Sequence, residues 1–378
     1  DRIMSQGYLL TGAAGTGKST YEKKILTKAH DKVQRSFQCM GPTHTSCRAL
    51  TVADLKDKEG GFFDQEARTV VHIAKRKLGL KTWKVPRVKE DIHVHDEWFN
   101  TQPLYALNFP MMTGGANSTL RHHIIGDPLQ LGPHQAEPGT TERYLNSYVL
   151  WKLAGGTPTR PALCVRLSVP RRMERDHFEV CMKVATGNHV DLCRTFPFKE
   201  WTRANMALSH DFRKFLNAKM MDAIQGDDSL FIGETHSALT QDCTLTRNMP
   251  LVGCDTDRNH GLYNAEMYTL IDWRDSNDPQ NPTLIIRELY DESADVIKIP
   301  LNDFHQWLRP GFCVTIDSSQ GRTIREKYTV WQAHHPFMTR SRRYVAVSRA
   351  TRKQDVQVVN CSLADLMDEM TRIPVKIR

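Results

Sequence analysis

Residues 11–20 read TGAAGTGKST and follow the short apolar run Tyr8–Leu10. An apolar strand, a glycine-rich turn and a helix beginning at Lys18 together form the P-loop pattern. The glycines let backbone N–H groups turn inward, and the helix N-terminus adds its positive dipole end, so this loop can hold a triphosphate. Lys18 would contact the phosphates and Ser19 would ligate Mg²⁺. The stretch therefore predicts a nucleotide-binding site at the start of an α/β domain.

The loop and the first turn of the helix supply the candidate nucleotide ligands. Apolar residues recur at helical spacing after the loop, which supports a helix there. The predicted nucleotide-binding residues of this segment are Gly12, Ala14, Gly15, Thr16, Gly17, Lys18, Ser19 and Thr20.

The composition narrows the class of protein. The chain has 378 residues, enough for two domains, and 25% of them are charged. Mean hydropathy is −0.49, and no stretch approaches the roughly 18 apolar residues of a membrane helix, so we expect a soluble protein without membrane contact. Lys and Arg exceed Asp and Glu by 51 to 43, which suits a polyanionic partner. The nine cysteines are scattered without a C-x-x-C pair, which favours a reducing compartment, the nucleus or the cytoplasm.

The organisation of the chain indicates two α/β domains. Short apolar runs alternate with helical patterns in the first part, which predicts a parallel sheet flanked by helices. The candidate strands there are Tyr8–Leu10, Phe37–Met40, Ile92–His95 and Arg121–Ile125. The stretch AGGTPTRP at 154–161 marks a predicted boundary between domains 1–157 and 158–378. Short β-rich pieces at about 249–305 predict an insertion in the second domain, after which the α/β pattern returns and Ser362 caps a final helix.

Two adjacent acids follow the third candidate strand, in IHVHDEWFN at residues 92–100. A P-loop nucleotidase needs one carboxylate for the Mg²⁺ shell and another that orients and deprotonates water. Asp96 is predicted to hold the metal through water, and Glu97 to be the base. His93 and His95 alternate with apolar residues on this strand, whereas a central parallel strand is normally apolar on both faces. They therefore require buried partners.

A third motif, GDPLQLGP at residues 126–133, brings a reachable glutamine to the end of another short strand. In this order GAAGTGKST, HDE and GDPLQLGP resemble motifs I, II and III of superfamily 1 helicases. Later segments extend the resemblance: LSVPRRMERDHFEVCMKVATGN to motif IV, VTIDSSQGRT to motif V and RYVAVSRAT to motif VI. GPTHTSCRAL resembles motif Ia, and ARTVVH the element that follows it. HGLYNAEMYTLIDW resembles the strand before motif V in the Pif-like and RecD-like branch.

The resemblance implies two RecA-like P-loop NTPase domains, parallel sheets flanked by helices, with ATP and Mg²⁺ in the cleft between them. In this family the residue at Gln130 senses the γ-phosphate or the attacking water. The family also has arginines of the second domain at the positions of Arg172 and Arg349, and they reach the same phosphate. Their guanidinium groups stabilise the negative charge that develops in phosphoryl transfer. The resemblance also adds Gln320 and Gly321 to the nucleotide site. Contacts to the nucleic-acid strand, mostly to phosphates, are implied for Thr43, His44, His72 and Thr315.

Two departures from the family pattern, and one feature of motif VI, bear on these roles. Asp317 and Ser318 replace a basic pair in motif V, which argues against the nucleic-acid contact that the pair makes. Trp98 follows motif II where the family has a small residue, and it fits either a stacking platform for a base or a core aromatic. In motif VI the run Tyr344–Val347 is apolar enough to be buried, which leaves Arg349 at its polar end.

The expected function is ATP-driven translocation on single-stranded nucleic acid and unwinding of duplex. DNA is the favoured substrate, and the branch implies 5′ to 3′ movement and roles in DNA replication, repair or recombination. An RNA helicase of a positive-strand RNA virus is an alternative, because GDPLQ and DSSQG also occur in such proteins. A nucleotide-dependent clamp that holds nucleic acid without unwinding it is another.

Overall fold

The structure, a computed structural model, describes ten segments of the chain: 6–33, 37–41, 68–69, 91–101, 120–133, 140–157, 159–234, 240–257, 260–274 and 282–372. The chain divides into two compact units, Asp1–Met173 and Glu174–Arg378. Among the helices in these segments, none is long and apolar enough to cross a lipid bilayer.

The first unit is built on a six-stranded parallel sheet. Its strands are β1 (Tyr8–Gly12), β2 (Phe37–Gly41), β3 (Arg68–Thr69), β4 (Ile92–His95), β5 (Arg121–Gly126) and β6 (Cys164–Leu167). The order across the sheet is β3-β2-β4-β5-β1-β6, and every neighbouring pair is parallel. Its helices are α1 (Lys18–Val33), α2 (Thr140–Leu145) and α3 (Tyr148–Leu153). The four strands predicted from apolar runs in this part of the chain are confirmed.

Both faces of this sheet are buried, because alternate side chains of each strand point to opposite sides. Leu10 of β1 and Val94 of β4 pack with Leu26 of α1 on one face. Leu9 lies on the opposite face in a cluster that includes Trp98. Trp98 is fully buried, so it is a core aromatic and not a stacking platform for a base.

The structure divides the chain after Met173 and not at the predicted residue 157. The reason is β6, which follows the predicted boundary and yet pairs with the P-loop strand, with Leu10 opposite Val165. The Gly- and Pro-rich stretch at 154–161 is therefore a loop that returns the chain to the edge of the first sheet.

The second unit contains a parallel sheet and an antiparallel one. Its strands are β7 (Ala204–Ala207), β8 (Leu230–Ile232), β9 (Cys243–Leu245), β10 (Pro250–Gly253), β11 (Met267–Arg274), β12 (Thr283–Glu288), β13 (Ile297–Pro300), β14 (Leu308–Pro310), β15 (Cys313–Thr315), β16 (Tyr328–Val330) and β17 (Val356–Val358). Its helices are α4 (Arg175–Ala185), α5 (Leu192–Thr195), α6 (His210–Ile224), α7 (Phe304–Trp307), α8 (Arg340–Val347) and α9 (Leu363–Arg372). The parallel sheet has the order β15-β7-β16-β17, which is consistent with the second RecA-like domain that the resemblance implied.

The antiparallel sheet, in the order β13-β12-β11-β10-β14, corresponds to the predicted β-rich insertion and extends it to β14. Its inner residues pack against Met220 and Met221 of α6. At the end of the chain, Ser362 Oγ accepts a hydrogen bond from Asp365 N at 3.1 Å and caps α9 as predicted.

Candidate nucleotide-binding site

The P-loop joins β1 to α1 in the first unit. Gly15 and Gly17 have φ angles of 77° and 87°, in the left-handed region that glycine adopts without strain. A Cβ added at Gly12 would lie 2.6 Å from Thr16 Oγ1 and 2.8 Å from Leu167 O, so a larger residue does not fit there. The three glycines shape a turn that leads into a helix N-terminus, which is the arrangement that binds phosphate.

Lys18, the first residue of α1, folds over this loop. Its Nζ donates hydrogen bonds to Gly12 O at 2.8 Å and to Ala13 O at 3.2 Å. The ammonium therefore lies above the turn that would receive the phosphates. The remaining predicted ligands of the segment are Ala14 and Thr16, which are buried, Ser19, which is half-buried, and Thr20, which is exposed.

Asp96 lies at the sheet edge where the carboxyl ends of three adjacent parallel strands, β4, β5 and β1, meet. Its side chain is buried, and Oδ1 accepts a hydrogen bond from Glu97 N at 3.0 Å. Burial, and next the Glu97 carboxylate, raise the pKa of Asp96 to about 7, while Lys18 acts in the opposite direction. A nearby cation would favour the charged form of this carboxyl group, which burial disfavours. The oxygens of Asp96 and Ser19 are the hard donors that Mg²⁺ takes, so these residues fit the ion.

Glu97 is held in an unusual backbone conformation, with φ 48° and ψ 39°. The left-handed region costs a residue with a Cβ about 1–2 kcal/mol. Asn100 N donates to Glu97 O at 2.9 Å as the chain enters a single turn of 3-10 helix over Trp98–Asn100. Such strain is concentrated at functional sites, which agrees with the predicted role of Glu97 as the base.

Gln130 lies in the turn after β5, and a network centred on Asp127 fixes its amide. Gln130 Nε2 donates to Asp127 Oδ2 at 3.1 Å, and Leu129 N donates to Asp127 Oδ1 at 3.0 Å. Gln130 is buried, and its Oε1 has no hydrogen-bond partner within the segments that the structure describes. That oxygen can accept a hydrogen bond from a water molecule, as a group that senses the attacking water must.

Arg172 lies in the first unit, whereas the resemblance implied the second. The backbone N–H groups of Arg171 and Arg172 both donate to Gly15 O, at 2.8 and 3.0 Å. A Cβ added at Gly15 would lie 3.3 Å from Arg172 Cβ. The chain that carries motif IV is therefore attached to the P-loop by its backbone, and Arg172 is a neighbour of the phosphate-binding turn.

The motif V residues lie in the second unit. Thr315 is buried at the end of β15. Asp317, one of the two substitutions in this motif, accepts two hydrogen bonds from Arg342 of α8, at 2.9 and 2.8 Å. This bidentate pair ties motif V to α8, the helix that leads into motif VI, which gives Asp317 a structural role. Gln320 is half-buried, and Gly321 has a φ angle of 82°.

Arg349 is buried in the second unit, with 2% of its surface exposed. Its guanidinium group donates to Val345 O at 3.0 Å, to Arg322 O at 3.3 Å and to Ser348 Oγ at 2.8 Å. The preceding run Tyr344–Val347 is buried, as expected, in the last turns of α8. Arg349 is thus part of the core of the unit as well as a motif VI residue.

Three predicted contacts to nucleic acid, Thr43, His44 and His72, lie outside the described residues.

A buried polar network under the P-loop helix was not predicted from the sequence. Glu22 of α1 is fully buried; it accepts a hydrogen bond from Tyr8 OH, and Glu22 Oε1 lies 2.6 Å from His123 Nδ1. Burial, and next the Glu22 carboxylate, raise the pKa of the Tyr8 hydroxyl. Glu22 lies four residues before Leu26, on the apolar stripe of the helix. An acidic residue on that stripe was the sequence feature from which a buried polar network could have been predicted. The network fixes α1 to β1 and β5.

The opposite face of the sheet carries the two histidines for which the sequence required buried partners. His93 and His95 are buried, and His95 Nε2 lies 3.1 Å from Nδ1 of His122, which is also buried. Burial is the main cause that lowers the pKa of His95 to about 3 and the pKa of His122 well below its usual value. The rings of His95 and His122 are therefore neutral at physiological pH.

Comparison with solved structures identifies the architecture. The chain superimposes on Pif1 helicase from Candida albicans with a TM-score of 0.63 at 16% identity, over 98% of this chain and 96% of that one. Bacteroides Pif1 bound to ssDNA gives 0.61 at 15% identity, over 98% and 95%. The chain has the Pif1-helicase fold.

A third Pif1 structure, from Bacteroides in complex with ADP-AlF3 and ssDNA, gives a TM-score of 0.62 at 15% identity, over 98% of this chain and 94% of that one. No protein-family model and no curated protein matches the sequence. At these identities the likeness to Pif1 is one of fold.

Proposed function

We propose that this chain is an ATP-dependent helicase or translocase that acts on single-stranded and duplex nucleic acid, with DNA as the favoured substrate. The observation that carries the proposal is the sheet edge at which the P-loop, the Asp96–Glu97 pair and Gln130 follow three adjacent parallel strands. DNA is favoured because the Pif1 structures of the same fold include complexes with ssDNA.

The first unit carries the groups needed to hydrolyse ATP. The P-loop amides and Lys18 would bind the phosphates. Ser19, and Asp96 through water, would hold Mg²⁺, which supplies neutralisation of phosphate charge when bound. Glu97 accepts a proton from the attacking water, and Gln130 Oε1 orients that water. Asp96 serves best when ionised, and the cation offsets the burial that raises its pKa.

The remaining roles complete the proposal. Arg172 beside the P-loop, and Arg349 of motif VI, would stabilise the charge that develops on the transferred phosphoryl group. Gln320 and Gly321 would assist in nucleotide binding. Thr43, His44, His72 and Thr315 would contact phosphates of the strand, and the net charge of +8 suits such a partner.

Strand separation tests this function directly. Short duplexes with a single-stranded tail at either the 5′ or the 3′ end, made of DNA or of RNA, would be incubated with ATP and Mg²⁺. We expect unwinding of DNA with a 5′ tail, and no unwinding by a Lys18→Ala control. A preference for tailed RNA would favour an RNA helicase. ATP hydrolysis that depends on a nucleic-acid strand but unwinds no duplex would favour a nucleotide-dependent nucleic-acid clamp. A DNA unwinding activity would then justify tests in replication, repair or recombination.

A further inference from the structure

Three histidines lie on one face of the first sheet, away from the P-loop helix. His93 and His95 alternate along β4, so both side chains point to the same face. His122 of β5 is in register with His93, and paired residues of neighbouring strands also share a face. The face is the one opposite Val94 and His123, which lie toward α1.

The three imidazoles converge in the interior of the unit. One ring nitrogen from each of the three lies within 4.8 Å of the others, and all three residues are buried. His95 Nε2 and His122 Nδ1 are 3.1 Å apart. The second nitrogen of His122, Nε2, is buried and has no hydrogen-bond partner within the described segments.

The distance between the His95 and His122 nitrogens is close to the distance between two ligand atoms of one metal ion. With Zn–N bonds of about 2.0–2.1 Å, two ligand nitrogens at a tetrahedral angle are about 3.3 Å apart, close to the separation between His95 and His122. Nitrogens as far apart as 4.8 Å must move closer to share one ion, and rotation of an imidazole about its side-chain torsions is the movement that brings them together. Neutral imidazole is a strong ligand for Zn²⁺, Co²⁺, Ni²⁺ and Cu²⁺ and a poor one for Mg²⁺.

We propose that His93, His95 and His122 bind one Zn²⁺ ion, or a similar transition-metal ion, at a site separate from the Mg²⁺ site. Three protein nitrogens fill three tetrahedral positions and leave one for water or another small ligand. The ion would cross-link β4 to β5 immediately before Asp96. It would therefore brace the strand ends that present the hydrolytic groups, without taking part in hydrolysis.

The experiment uses the full chain, stripped of metal with a chelator and titrated with Co²⁺ and then Zn²⁺. We expect one equivalent of Co²⁺ to give the visible absorption of a tetrahedral nitrogen–oxygen site, without thiolate charge-transfer bands, and Zn²⁺ to displace it. Because the three histidines converge only in the folded chain, Zn²⁺ at 100 times its Kd should raise the Tm by about 3 °C.

Variants assign the site. Removing a residue that only hydrogen-bonds to a metal ligand lowers metal affinity about 10- to 100-fold. Removing a ligand itself costs more, so His122→Leu should lower the affinity for Co²⁺ about 100-fold or more. His177→Leu, which removes a buried histidine of the second unit, should bind as the parent does. Asp96→Asn should also retain the Co²⁺ spectrum, because its carboxylate belongs to the Mg²⁺ site.

Three results would overturn the proposal: no stoichiometric binding by the parent chain, a spectrum dominated by thiolate bands, or equal affinity in the parent and the His122→Leu variant. If circular dichroism shows that His122→Leu is unfolded, His93→Leu replaces it, and the spectrum of the parent chain alone still distinguishes histidine from cysteine ligands.

Discussion

At the scale of single residues, substitutions of Glu97 and Lys18 should distinguish ATP hydrolysis from ATP binding. Glu97→Gln keeps the size of the side chain and loses the base, so we expect ATP to bind normally while hydrolysis falls about 10²-fold or more. Lys18→Ala should lose both, because the ammonium meets the phosphates in the ground state and in the transition state. Nucleotide binding by fluorescence and single-turnover hydrolysis measure the two effects. Normal turnover in Glu97→Gln would assign the base to another residue.

Arg349 should affect both stability and catalysis. Arg349→Ala removes the side-chain donor to Arg322 O and one of the two side-chain donors to Val345 O, which still accepts from Ser348 Oγ. A buried unsatisfied acceptor costs about 1–3 kcal/mol, so the Tm should fall. If Arg349 also acts on the phosphate, folded protein should lose about 10³-fold or more in strand-stimulated hydrolysis. Arg349→Lys should rescue little, because the lysine ammonium does not reproduce the planar guanidinium group with its several N–H donors.

Single-turnover hydrolysis of Arg349→Ala, measured well below its Tm and with saturating single-stranded DNA, distinguishes the two roles. Folded Arg349→Ala protein that hydrolyses ATP within about threefold of the parent would remove the residue from the site and leave it a core arginine only.

At the scale of elements, the P-loop and the strand ends were predictable, because short apolar runs and glycine spacing are local signals. The attachment of β6 to the first sheet was not, because Gly and Pro in the preceding loop carry no information on which sheet the next strand joins. The burial of Arg349 depends on carbonyls 27 residues away at Arg322 and four away at Val345, so the sequence could assign it to motif VI and not to the core.

The contact between the end of β5 and the turn after β4 is testable through Gly126. A Cβ added there would lie 2.7 Å from Cδ2 of Phe99, a fully packed ring. Overpacking of this kind costs about 1–3 kcal/mol, so Gly126→Ala should lower the midpoint of urea unfolding. Gly226→Ala is the matched control, since nothing lies within 4 Å of its added Cβ. Equal midpoints for the two variants would show that the turn carrying Asp96 and Glu97 is not packed against β5.

At the scale of the whole molecule, two RecA-like units and a net charge of +8 suit a motor that moves on a phosphate backbone. Its affinity for single-stranded DNA should fall steeply with salt, because each neutralised phosphate releases counterions. Fluorescence anisotropy with a labelled oligonucleotide, at several salt concentrations, gives the slope. An affinity independent of salt would contradict a phosphate-tracking strand site.

The most direct test of the whole account is the steady-state rate of ATP hydrolysis with and without single-stranded DNA, at low salt and saturating Mg²⁺–ATP. We predict a low rate for the protein alone, a strong increase on addition of DNA, and no increase in Lys18→Ala. A parent rate that saturating single-stranded DNA and RNA both leave unchanged, in protein shown to bind ATP, would contradict the proposal that this chain couples ATP hydrolysis to movement on nucleic acid.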